Sequence, residues 1–91
     1  MSKHKKKTLE IVKRRLGREN AWGLACQFKH NHKKYLIELD PRNPPKIQMT
    51  TLLHELLHIY SDFTMSETKI TNMSRFLGKY MWEQGFRKVE L

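Results

Sequence analysis

Apolar residues recur along this chain in two different rhythms. Leu9, Val12 and Leu16, together with Ile11, fall at helical spacing, so residues 8 to about 16 are predicted as a short amphipathic helix. Thr8 would open that helix, Gly17 would end it, and Lys13, Arg14 and Arg15 would form its basic face. Residues 21–28 (A-W-G-L-A-C-Q-F) and 35–40 (Y-L-I-E-L-D) are instead short apolar runs between polar clusters, the mark of two strands joined as a hairpin through K-H-N-H-K-K. In the second strand, alternation sets Tyr35, Ile37 and Leu39 on one face and Leu36, Glu38 and Asp40 on the other. Pro41, Pro44 and Pro45 then interrupt the chain as a rigid turn. A helix is predicted from about Ile47 or Gln48 to Ser61. A last helix opens through a Thr64–Glu67 capping box and presents Ile70, Met73, Leu77, Tyr80 and Met81 to the core.

The resulting fold class is α+β: an N-terminal helix, a short antiparallel sheet or hairpin, and a two-helix hairpin. At 91 residues the chain has room for one small core, so residues 8–91 are expected to form a single domain after a disordered basic tail at 1–7. The net charge of +9 is concentrated at one end, because residues 1–18 hold eight Lys or Arg against Glu10 alone. Lys5, Lys6, Lys7, Lys13, Arg14 and Arg15 are therefore candidate nucleic-acid contacts, with a solubilising arm as the plainer alternative. Cys26 stands alone, which excludes an internal disulfide or a cysteine-based zinc ribbon and suits a reducing compartment. No apolar run is long enough for a membrane span or a signal peptide. The expected location is the cytoplasm, and the oligomeric state is left open.

One stretch carries explicit chemistry. In T-T-L-L-H-E-L-L-H-I-Y, His54 and His58 lie four residues apart, about 40° round a helix, so both imidazoles can address one metal ion. Glu55 is one step further round, within reach of a water on that ion. Zinc held in this way keeps an open coordination position and activates its water, with the carboxylate as general base for hydrolysis of a carbonyl substrate. A pair of histidines on the solvated side of a leucine-rich helix is the alternative. Against it, Leu52, Leu53, Leu56, Leu57 and Ile59 crowd round the polar trio, which implies a largely buried helix.

A catalytic zinc takes a third protein ligand, and Asp62 and Glu67 are the candidates. Asp62 is four residues past His58, but a straight helix puts it about 12 Å from residue 54 along the axis. Glu67 would return level with His58 if the two helices form an antiparallel hairpin, and it would then compete with its own capping role. Glu67 is the favoured ligand, with Asp62 second or as a partner that orients a histidine. Thr71, one turn after Glu67, is placed beside the site. Tyr60, Tyr80, Arg75, His30 and His32 are possible oxyanion donors, although periodicity sends both tyrosines to the core and a basic turn leaves both histidines at the surface.

The order A-W-G-L-A-C, a strand ending L-D-P-R, T-L-L-H-E-L-L-H, and S-E-T-K-I-T-N-M-S-R-F-L-G-K-Y-M-W-E-Q-G-F-R resembles the small zincin-like metallopeptidases of bacteriophage and bacterial genomes, minimal relatives of the SprT-like and ImmA/IrrE-type zinc peptidases. The resemblance covers residues 21 to about 88. It implies a minimal zincin-like domain, a protein or peptide substrate, and a glutamate at the start of the last helix as third zinc ligand, which here is Glu67. Thr68 occupies the place where that family often has a second acidic residue, and the lysine-rich N-terminus lies outside the likeness. The function expected is hydrolysis of peptide bonds by a zinc-activated water with Glu55 as base. The competing expectation is a non-catalytic nucleic-acid-binding module with a structural zinc and a basic arm.

Overall fold

Among the described residues, three strands and two helices follow one another in the order β1 (Thr8–Lys13), β2 (Gly23–Phe28), β3 (Asn31–Leu39), α1 (Pro45–Tyr60) and α2 (Glu67–Glu83). The structure, a computed structural model, describes residues 8–16, 22–28 and 31–86, the side chains of 31–33 excepted. β3 is the centre of the sheet, pairing antiparallel with β2 and parallel with β1. Its alternation is the one the sequence predicts: Tyr35, Ile37 and Leu39 are buried, and with Ile59 of α1 they form the core, against which Ala25, Leu52 and Leu56 pack. α1 lies on β2 and β3, and among the described residues α2 packs on α1 alone.

The predicted N-terminal helix is a strand. Leu9 and Ile11 stand beside Tyr35 and Ile37 across the parallel ladder, and the Arg14 amide extends it with a 2.9 Å hydrogen bond to the Leu39 carbonyl. Thr8, Ile11 and Val12 are β-branched, which suits a strand. The spacing of residues 9, 12 and 16 is equally compatible with a helix. What decides is β3: without β1 its second edge would present a row of unpaired backbone groups, and a two-stranded hairpin is marginal in water. Lys13, Arg14 and Arg15 thus end a strand instead of lining a helix. Leu16 is buried, and its amide donates to Asp40 Oδ2 at 3.1 Å.

Asp40 closes the sheet end. Its carboxylate accepts from the Arg42 amide, Nε and Nη2 at 3.0, 3.0 and 2.6 Å as well as from Leu16. The Arg42 side chain foremost, then these two amides, hold the carboxyl far below the usual range. Beyond it, α1 begins at Pro45, where a missing N–H costs nothing because the first-turn donors have no helical acceptor.

The contact between the helices also differs from the predicted stripe. Ile70, Ser74 and Gly78 are the buried residues of α2, whereas Leu77 and Tyr80 are exposed and Met73 and Met81 half-buried. Small side chains let the backbones approach. A Cβ added at Gly78 would lie 2.5 Å from Thr50 Oγ1, so a side chain fits there only if Thr50 or the helix spacing shifts. The leucines of α1 are half-buried, not enclosed, since a three-stranded sheet and one neighbouring helix cannot surround a helix completely.

Candidate metal centre

Successive turns of α1 present two faces. Thr51, Glu55 and Ile59 are buried, while Thr50, His54 and His58, one residue back in each turn, are half-buried along the margin next to α2. The rings of His54 and His58 are 5.0 Å apart between centroids.

Residues 61–66 bring the chain back to them. Asp62 and Phe63 both take left-handed backbone conformations, with φ of 52° and 61°, which stops α1 abruptly. The turn is held by the Phe63 amide on the His58 carbonyl at 2.7 Å, and the Phe63 ring stacks on that of His58. Ser66, not Thr64, caps α2, accepting from the Lys69 amide at 3.2 Å; the Thr64 hydroxyl donates to the Ser61 carbonyl instead. Glu67 is thereby the first residue of α2 and is released from the predicted capping box. Its Oε1 lies 2.6 Å from His54 Nε2 and its Oε2 lies 3.0 Å from His58 Nε2.

His54, His58 and Glu67 can hold a metal ion: one ligand atom from each lies within 4.8 Å of the others. Three donors at about 2.0–2.2 Å from a tetrahedral ion stand about 3.3 Å apart, so a pair at the 4.8 Å limit would draw in by about 1.5 Å on binding. Two imidazole nitrogens and a carboxylate oxygen form a set that divalent ions of borderline softness accept. Asp62, the alternative third ligand, is not in this cluster. Its Oδ1 accepts from the Tyr35 hydroxyl at 3.1 Å, and that hydroxyl accepts from Gln27 Nε2 at 3.3 Å. The left-handed turn thus commits Asp62 to the sheet and Glu67 to the histidines.

Glu55 is buried beside the cluster. Burial, more than any neighbouring charge, pushes its carboxyl up from the ordinary glutamate value; His54 and His58 pull it down and Glu67 adds to the rise. A cleft of about 510 Å³ opens over His54, Glu55 and Glu67 between the start of β2 and the two helices. Thr71 lines it as expected, and so does Arg75. Tyr60 and Tyr80 are exposed, contrary to the core placement predicted, and neither lines the cleft. His30 and the side chain of His32 lie outside the described residues.

The sequence reading missed Trp22, Gly23, Lys46 and Thr50 on the cleft walls. Lys46 and Thr50 were accessible to it, since they precede His54 by eight and four residues on one helical face. Trp22 and Gly23 arrive through the sheet, which no local spacing reveals. Of the basic residues predicted to meet nucleic acid, Arg14 ion-pairs with Glu38 and bonds the Arg15 carbonyl at 3.3 Å, and Lys5, Lys6 and Lys7 lie outside the described residues. Among the described residues no helix is long and apolar enough to cross a membrane. No family model, curated protein or solved structure matches this chain.

Proposed function

We propose that the protein is a zinc-dependent peptidase of minimal zincin-like architecture, with His54, His58 and Glu67 as metal ligands and Glu55 as general base. The observation that carries this reading is a buried Glu55, its carboxyl pushed up by burial, next to three ligand atoms gathered within 4.8 Å, with His54, Glu55 and Glu67 lining an open cleft. Three protein ligands with one position left open is the arrangement of a catalytic zinc site, and a purely structural site has no use for the added carboxylate. Zinc bound there would lower the pKa of its water to about 7 and polarise a carbonyl oxygen.

The remaining work falls to side chains and backbone of the chain itself. Glu55 takes a proton from the attacking water as the water oxygen adds to the peptide carbonyl carbon, and gives that proton to the nitrogen as the C–N bond breaks. Burial favours this two-way role, because it brings the proton affinity of the carboxyl closer to neutral pH. β2 is an edge strand that begins at Gly23 on the cleft wall, so an extended peptide can add to it through backbone hydrogen bonds and lie across the site.

The test is a comparison of wild type with Glu55→Gln, both purified without a histidine tag and assayed for metal content and for cleavage of an unfolded protein. Equal zinc in the two, with cleavage in wild type only, is the result expected. Cleavage that persists in Glu55→Gln, or wild-type protein that binds no zinc, would refute the assignment.

A further inference from the structure

The cleft holds two cations that the proposed reaction does not use. Lys46 lies two turns before His54 on α1 and Arg75 two turns after Glu67 on α2, and both line the cleft. Each lies about 12 Å along its own helix axis from that ligand, on the side away from the turn. Neither cation has an ion-pair partner among the described residues, unlike Arg14 with Glu38 and Arg42 with Asp40. Trp22, 62% exposed, lines the same cleft and offers it a flat apolar face.

Charge counting gives these residues a direction. The ionisable groups lining the cleft are Lys46, Arg75, Glu55 and Glu67, besides His54. A divalent ion on the ligand cluster offsets both carboxylates, and the two cations are then left without a counter-charge. The whole chain adds to this, with its net charge of +9. We infer that Lys46 and Arg75 form a subsite for a substrate carboxylate, borne by an acidic side chain or by the peptide C-terminus, within three residues of the scissile bond. The spacing agrees: extended peptide advances about 3.3 Å per residue, and each cation lies no more than about 12 Å along its helix from a metal ligand, a gap that its long side chain shortens. Arg75 would receive the carboxylate through paired N–H groups, with Lys46 as a second point charge.

This inference rests on the peptidase reading for its substrate, and its test separates the two. Fluorescent peptides with Glu or Gln at each position, and with free or amidated C-termini, are titrated by anisotropy into zinc-loaded Glu55→Gln protein, and the same peptides are offered to wild type for cleavage. At one position, or at the free C-terminus, the carboxylate peptide binds about tenfold more tightly than its neutral counterpart. In the Lys46→Gln/Arg75→Gln protein that preference disappears while zinc content is unchanged. A preference at a side-chain position identifies an acidic residue as the ligand group; a preference for the free over the amidated end identifies the terminus. Equal binding of all peptides, or a preference that survives both substitutions, overturns the subsite even if wild type cleaves the peptides. Selective binding without cleavage by wild type leaves the subsite standing and removes the peptidase.

Discussion

Gly78→Ala tests the packing that sets the helix hairpin. The added methyl would sit 2.5 Å from Thr50 Oγ1, 3.3 Å from Thr50 Cβ and 3.4 Å from Thr50 Cα, so its three nearest contacts come from one residue. Overpacking of this kind costs about 1–3 kcal/mol, and the better helix propensity of alanine returns about 1 kcal/mol. The net loss expected is about 1 kcal/mol, or a fall of about 4–8 °C in Tm for a domain of this size. Thr50→Ala removes the Oγ1 that is struck, together with its 3.2 Å hydrogen bond to the Lys46 carbonyl. The remaining contacts with Thr50 are tight but tolerable. Thr50→Ala/Gly78→Ala should therefore be more stable than the sum of its single changes by about 1 kcal/mol or more, a coupling read from a double-mutant cycle. Urea denaturation in chelator, which keeps metal binding out of the comparison, supplies the four stabilities. Additive effects, or a Gly78→Ala protein more stable than wild type, would refute the close approach of α1 and α2.

Glu67→Gln should bind zinc at least about tenfold more weakly than wild type, since it loses a direct ligand where loss of an outer partner already costs about 10–100-fold. Asp62→Asn, which tolerates the same left-handed backbone, should bind zinc as wild type does; chelator competition distinguishes the two and would expose an error in the ligand choice. Asp40 has a folded-state carboxyl far below its unfolded value of about 3.9, so its contribution to stability is complete above that pH and is lost as pH falls through the folded value. The Tm difference between wild type and Asp40→Asn should accordingly narrow from about pH 5 downward; a constant difference would contradict the Arg42 and Leu16 bonds. Ser66→Ala should cost about 1 kcal/mol through loss of the α2 cap, whereas Thr64→Ala, measured by the same denaturation, should cost less.

Much of the site could be read locally. The placement of His54, Glu55 and His58 follows from helical periodicity, and the buried face of β3 follows from strand alternation, because both depend on residues a few positions apart. The choice of Glu67 over Asp62 was also favoured from the sequence, but only by assuming a helix hairpin. It rests on a turn with two non-glycine residues at positive φ, one of them a phenylalanine, and on a tyrosine from β3 that claims Asp62. Glu67 also had a competing local role until Ser66 took over the cap.

Residues 8–13 make the same point for the fold. Their apolar spacing permits a helix or a strand, and the vacant edge of β3 selects the strand, a partner more than twenty residues away in sequence. The face of α2 was likewise undecided by hydrophobicity: Leu77 and Tyr80 fit a core stripe, yet close approach to Thr50 rewards Ser74 and Gly78. By itself, then, the sequence determined which residues could bind a metal and which strand could anchor a core, since those are short-range patterns. Tertiary structure decided which carboxylate joins the histidines, which edge β1 fills and which cations share the cleft, since each depends on groups that only folding brings together.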